Sequence, residues 1–435
     1  MKLVQFGAGN IGRSFIGQIF SRSGWEVVFV DVDDRLVNLL NEKQYYTVVI
    51  KREGRADEER RIGPVRAVNG RDAAAVAAEL AGTDMAGTSV GKNALPKVLP
   101  VIARGLAARR LPLQAGRPLD IIIAENDREA PALFRSVLSA ELGPEYPLEN
   151  LVGLVETSIG KMVPPMKAAD LAADPLLLFA EEYETLIVDS RAFHGPLPEI
   201  PALHPVDPIA AYVDRKLFIH NLGHAAAAYL GYVASGQGAR GNQGASGDQG
   251  AGTRTLACSG SLTIPEVLSL PVVSIGTVED GVRRTMNEAA DALVLEYPQS
   301  QYPGSYTRED LAAHIEDLLF RFKNRALGDP VYRVGRDLRR KLAREDRITG
   351  AMLLCAKHDL PFTGIAQAYR AALEFAAPAE DGTLFPADKE FRNAYELDKT
   401  KPGNAPSKLE QILREVSGLD SSRTEDALVI KEVTA

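Results

Sequence analysis

KLVQFGAGNIG, residues 2–12, decides the fold of this chain. Five strand-like residues run straight into a turn whose glycines, Gly7, Gly9 and Gly12, keep the spacing G-x-G-x-x-G; Ile11 to Phe20 then alternate at helical spacing. Gly7 permits the tight turn, Gly9 lets the backbone approach a pyrophosphate, and Gly12 lets helix and strand pack closely. The candidate cofactor loop is therefore Gly7, Ala8, Gly9, Asn10, Ile11 and Gly12, with the pyrophosphate on a helix N-terminus whose free N–H groups and dipole favour anions. The next strand, EVVFVD at 26–31, ends in Asp31, 19 residues after Gly12. A carboxylate there accepts hydrogen bonds from both adenosine ribose hydroxyls and repels a 2′-phosphate. NAD is expected over NADP.

Outward from this unit, TSV at 88–90, DIIIAEN at 120–126 and LVGLVE at 151–156 are short, apolar and β-branched, with helical stretches such as ALPKVLPVIARGLAARR between strands. Strands alternating with helices imply a parallel sheet with crossover helices. From about residue 205 the pattern turns to helix after helix, over 205–234, 276–297, 308–327 and 346–378. The proline-rich GPLPEIPALHPVDP, 195–208, reads as the hinge. The expectation is an α/β chain: a doubly wound cofactor domain over 1–200 and a mainly helical domain over 201–435. Within the second, SGQGARGNQGASGDQGAG, 235–252, has no large apolar side chain and reads as a flexible excursion, with a lid over the site as one role for it.

Bulk properties narrow the function. At 435 residues, two domains are the natural reading. The formal charge of −8 argues against a nucleic-acid binder, whose affinity would rest on a basic surface. Two cysteines, Cys258 and Cys355, with no CxxC, suggest neither a disulfide framework nor a zinc site and fit a reducing compartment. No apolar run approaches the roughly 20 residues needed to span a bilayer, and the chain enters a strand at once rather than a signal peptide. A cytoplasmic protein without membrane partners is expected, its oligomeric state left open.

The chemistry concentrates in KLFIHNLGHAAAAYLGY, 216–232. Its tail reads as a buried helix, yet Lys216, His220, Asn221 and His224 stand in its first half, and burying such groups unpartnered costs several kcal/mol. At roughly 100° per residue, His224 lies about 80° from Lys216 and about 60° from Asn221, so the three share one broad face. His220 falls to the side and reads as structural. Hydride transfer between an alcohol and nicotinamide needs a base for the hydroxyl proton and donors for the developing alkoxide. A desolvated lysine is such a base, and an amide and an imidazole are such donors. No metal is required.

GAGNIGRSFIG at 7–17, DRKLF at 214–218, NLGHAAAAYLG at 221–231 and RVGRDLRRKL at 333–342 together resemble the polyol-specific long-chain dehydrogenases, the mannitol dehydrogenase family. The resemblance runs nearly colinearly to SGLDSS at 417–422. It implies a Rossmann domain plus a helical domain with the substrate in the cleft between them. The implied reaction is zinc-independent and interconverts a polyol phosphate and a ketose phosphate, D-mannitol 1-phosphate and D-fructose 6-phosphate, with a uronate or other sugar-acid reductase as the alternative. Lys-x4-Asn-x2-His is the family's catalytic signature and falls on Lys216, Asn221 and His224. AEN at 124–126 puts Asn126 where the family has a further alkoxide ligand.

A phosphorylated substrate calls for arginine forks and lysine charges. Cations gather at 333–344, where Arg333, Arg336, Arg340 and Arg344 would fall on one helical face. Arg336 and Arg340 are the expected phosphate ligands, with Arg321 and Asn324 of RFKN as candidates for the sugar hydroxyls.

Overall fold

A computed structural model describes residues 1–109, 117–164, 166, 168–236, 262–272, 276–397 and 405–435. Apart from Ser235 and Gly236, the glycine-rich stretch lies outside the described residues, as does Cys258. The chain folds as two compact units, Met1–Val213 and Asp214–Ala435.

The first unit is built on an eight-stranded sheet. Numbering only its strands, these are β1 Lys2–Phe6, β2 Glu26–Asp31, β3 Val65–Asn69, β4 Met85–Thr88, β5 Leu119–Ile123, β6 Val152–Ser158, β7 Leu186–Asp189 and β8 Leu203–Val206. They lie in the order β8-β7-β6-β5-β4-β1-β2-β3, every neighbour parallel except β6 with β7. This is an α/β fold with a Rossmann-type sheet, whose first six strands follow the doubly wound order 3-2-1-4-5-6. The strands are apolar on both faces because both are covered. Leu3, Val27 and Phe29 enter one core with Phe15, Phe20 and Tyr46. Val4, Phe6, Val28 and Val30 enter the other with Leu80, Leu99 and Phe134. That alternation is the two-residue period of a strand, and each such buried side chain contributes roughly 1.5–3 kcal/mol. Because β1 lies between β2 and β4, the winding reverses at its carboxyl end, where such sheets bind ligands.

The proline-rich stretch expected as the hinge lies within the first unit, which runs to Val213. Its Leu203–Val206 pairs in parallel with β7 as the sheet's edge, where Pro205 is tolerated for want of a partner on its far side. Helix begins only at Ile209.

Among the described residues the second unit is helical, apart from a two-residue strand pair, Pro271–Val272 with Gly276–Thr277, and an isolated bridge between Thr263 and Pro330. Val278–Glu296 and Arg308–Phe322 each start in a capping box: Thr277 with Asp280, and Thr307 with Asp310, exchange side-chain and backbone hydrogen bonds. The helical stretch expected over 346–378 is two helices, Thr349–Lys357 and Thr363–Glu374. Asp359 at φ 54° and the following Pro361 end the first.

Candidate functional site

In the first unit the three motif glycines do different work. Gly7 has φ +88°, and a Cβ there would meet Ser89 O at 2.6 Å; one on Gly12 would meet Gly7 O at 2.0 Å. A Cβ on Gly9 would meet nothing within 4 Å. Two glycines thus serve packing, and the third leaves bare backbone facing open space, which suits a bulky anion drawn close. Behind the loop, buried Arg13 donates from Nε to Ala8 O (2.6 Å) and from Nη1 to Leu176 O (2.9 Å), and Tyr46 Oη donates to Arg13 O (2.7 Å). The Asp31 carboxylate accepts from Ala8 N at 2.7 Å and Asp33 N at 3.1 Å, so it clasps the loop to the end of β2. A charged oxygen is held where a ribose diol would be read. The helix that follows opens as a π-helical turn, Gly12–Gly17, before Gln18–Arg22. Beyond the carboxyl end of β5, Glu125 accepts from Val90 N (2.9 Å) and Gly91 N (2.8 Å), and Asn126 is exposed in the loop. The residues present fit a dinucleotide.

In the second unit the signature stands on one continuous helix over residues 214–234. Lys216–Asn221 forms a π-helical turn, and Leu222–Ala234 continues as α-helix. Bonds from i to i+5 widen the turn, so the α-helical angles expected between Lys216, Asn221 and His224 do not hold there. Between 216 and 232 only Lys216, Leu217, Asn221 and His224 escape full burial. The three polar groups are half-buried.

Each is conditioned by its surroundings. Desolvation, with repulsion from the Arg347 guanidinium, pushes the Lys216 amine down to about 8. Arg347 Nε is itself held 2.7 Å from Asp346 Oδ1. His224 stacks on Phe322, ring centroids 5.0 Å apart and planes 16° apart. Its Nε2 lies 3.1 Å from Asp329 Oδ2, while Asp329 Oδ1 lies 2.6 Å from Arg333 Nη1. Burial would raise the Asp329 carboxyl, but the hydrogen bond from His224 and the nearby Arg333 guanidinium outweigh it and hold it below its ordinary value. His220 is buried, 5.9 Å from the Phe322 ring, and burial with nearby Arg321 drives its imidazole well down towards the neutral form. Among the described residues no group of His, Cys, Asp or Glu side chains is arranged to hold a metal ion.

The basic stretch does not form the single helical face expected of it. Val331–Gly335 stops at Arg336, Asp337 takes φ 72°, and Leu338–Lys341 starts anew with Asp388 accepting from Asp337 N and Leu338 N. The reversal turns the arginines to separate partners. Arg333 pairs with Asp329, Arg340 with Asp337 (2.5 Å) and Asp346 (3.1 Å), and Arg344 with Asp426. Arg336 is exposed, its guanidinium 5.4 Å from the Phe385 ring centroid. Lys341 is buried, donates to Val334 O and Arg336 O, and is pushed down to about 7 by burial and by Arg347 and Arg340. Arg321 is buried, Nη1 3.4 Å from Asp317 Oδ2, and the Asn324 side chain accepts from Ala326 N.

The family profile described as the mannitol dehydrogenase Rossmann domain matches residues 1–202. A mannitol-1-phosphate 5-dehydrogenase of Brevibacillus brevis is 32% identical over 420 residues, covering 95% of this chain and 97% of the relative. The chain belongs to the mannitol dehydrogenase family. It is accordingly an oxidoreductase. Among solved structures, D-mandelate dehydrogenase with NADH and anilino(oxo)acetate matches over 86% of this chain and 97% of its own at TM-score 0.43 and 13% identity. Octopine dehydrogenase with NADH and pyruvate matches over 86% and 88% at TM-score 0.45 and 11% identity.

Sequence reasoning missed Arg13, Asp329 and Arg347 in this family member. Arg13 follows Gly12 directly, which is a local signal. Nothing in GDP, 328–330, or in EDR, 345–347, points towards a histidine and a lysine more than a hundred residues earlier.

Proposed function

We propose that this enzyme is an NAD-dependent polyol-phosphate dehydrogenase that reversibly interconverts D-mannitol 1-phosphate and D-fructose 6-phosphate. The observation that carries the chemistry is the desolvated, lowered Lys216 amine on a helix it shares with Asn221 and His224; the substrate class rests on likeness to the Brevibacillus brevis relative. The Gly7–Gly12 loop would hold the pyrophosphate and Asp31 the adenosine ribose; bound NAD supplies the hydride acceptor for oxidation and NADH the donor for reduction. In oxidation the neutral Lys216 amine takes the hydroxyl proton as the hydride leaves the same carbon; in reduction the ammonium returns it. Asn221 and His224 hold the oxygen, and we assign Asn126 to the same task. Arg336 and Arg340 take the phosphate, with Arg321 and Asn324 on sugar hydroxyls. The lysine does the work of a base without a metal.

An amine titrating near 8 makes the two directions respond oppositely to pH. Oxidation needs the neutral amine, so its kcat/KM rises through pH of about 8; reduction needs the ammonium, so its kcat/KM falls over the same range. The deciding assay follows NADH oxidation with fructose 6-phosphate, free fructose and a ketouronate, in the natural enzyme and in Lys216→Ala. Turnover of fructose 6-phosphate that vanishes in the variant is expected. Turnover of free fructose alone excludes the phosphate, and turnover of the ketouronate alone makes the enzyme a sugar-acid reductase.

A further inference from the structure

We infer that Asp329 is a positioning residue for His224: it fixes the proton on Nε2 and leaves Nδ1 as the nitrogen presented to the substrate. This rests on the proposed role of His224 and deepens it. The contact is direct, Nε2 to Oδ2 at 3.1 Å. An ionised carboxylate only accepts, so the facing nitrogen has to be the protonated one. Both partners are braced. Arg333 occupies the other carboxylate oxygen at 2.6 Å, Asp329 O accepts from Ile264 N at 2.9 Å, and the flat stack on Phe322 opposes rotation of the imidazole. A base whose partner is held by a third group is the usual way an active-site histidine keeps one tautomer.

The consequence changes the assignment of hydrogen bonds. With Nε2–H given to Asp329, a ring carrying one proton has its lone pair at Nδ1. It accepts from a substrate hydroxyl next to the reacting one, while donation to the developing alkoxide falls to the Asn221 amide. Holding that neighbouring hydroxyl fixes the reacting carbon in place and leaves the reacting hydroxyl's own proton to pass to Lys216.

The test has a structural arm and a kinetic arm, both on the full chain. With 15N-histidine labelling there are six imidazoles to resolve, and His224→Asn identifies the resonances of His224. Long-range 1H–15N spectra are expected to find His224 protonated at Nε2 in the natural protein and a mixture of tautomers in Asp329→Ala. In the kinetic arm, Asp329→Ala lowers kcat for fructose 6-phosphate reduction by roughly 10–100-fold, as loss of a histidine's outer partner does, with KM for NADH unchanged. Asp329→Asn, whose amide oxygen still accepts from Nε2–H, recovers part of that loss. In a His224→Asn background, Asp329→Ala costs nothing further. An Nδ1-protonated ring in the natural protein, or an equal loss with and without His224, overturns the inference. If Asp329→Ala fails to fold, the natural protein's spectra and Asp329→Asn still decide. If the natural enzyme leaves fructose 6-phosphate untouched, the substrate reading fails and the tautomer arm stands.

Discussion

Gly12–Gly17 and Lys216–Asn221 are both single π-helical turns inside otherwise α-helical segments, and each coincides with the stretch that carries the motif. Such turns recur at functional sites. What surrounds them differs. The first is finished mostly by nearby chain, since Gly7 O lies beneath Gly12, Arg13 bonds Ala8 O and Asp31 clasps Ala8 N, although Arg13 also reaches Leu176 O and Gly7 abuts Ser89 O. The second owes its chemistry to residues about a hundred positions away, since Asp329, Phe322 and Arg347 decide what His224 and Lys216 can do. Cradling an anion is backbone chemistry, so it can be built locally. Moving a proton depends on desolvation and neighbouring charge, so it needs a fold.

The comparison can be broken most forcefully at Lys216. Lys216→Ala should cut kcat by about 10²–10⁴-fold, the worth of a general base, while the NADH dissociation constant from fluorescence titration stays put. A variant that loses cofactor affinity as well would mean the second helix is not chemically separate from the first.

Next come the glycines, which separate packing from ligand approach. Gly12→Ala drives a methyl into Gly7 O and should destabilise the cofactor unit by roughly 1–3 kcal/mol, lowering Tm by several degrees and weakening NADH together. Gly9→Ala enters open space, so Tm should hold while NADH binding alone weakens. Equal Tm losses for the two would erase the distinction between them. Asp31→Ala should weaken NADH by roughly tenfold, as expected for lost charge-assisted hydrogen bonds, and narrow the preference over NADPH.

The smallest effect sharpens the substrate side. Arg336→Ala should raise KM for a phosphorylated sugar by about tenfold with kcat and Tm little changed, because its guanidinium is exposed. Arg340→Ala removes the partner of Asp337 and Asp346 and should lower Tm as well. An unchanged KM in both puts the phosphate on other cations of the second unit.

Much was legible without coordinates. The alternation of short β-branched runs with helices implied the parallel sheet, since a strand buried on both faces must be apolar throughout. That polar groups interrupt an apolar run over 216–232 was legible as well, but the spacing of Lys216, Asn221 and His224 around the helix was not, because the turn that carries them is π-helical. The regular helix drawn through 333–344 was not: Asp337 in the left-handed region and the Asp388 cap, about fifty residues on, break it and scatter its arginines among separate carboxylates.

By itself, the sequence determined the glycine cradle, the acidic residue at the end of the second strand and the order of amine, amide and imidazole along one helix, because each is carried by a short run of chain whose residue types and spacing can be read directly. Only the tertiary structure decided that the amine is driven down towards neutrality, that the imidazole is held by Asp329 and stacked on Phe322, and that the basic stretch is not one surface. Those outcomes follow from desolvation and charge at short range, and such neighbours are assigned by packing rather than by spacing.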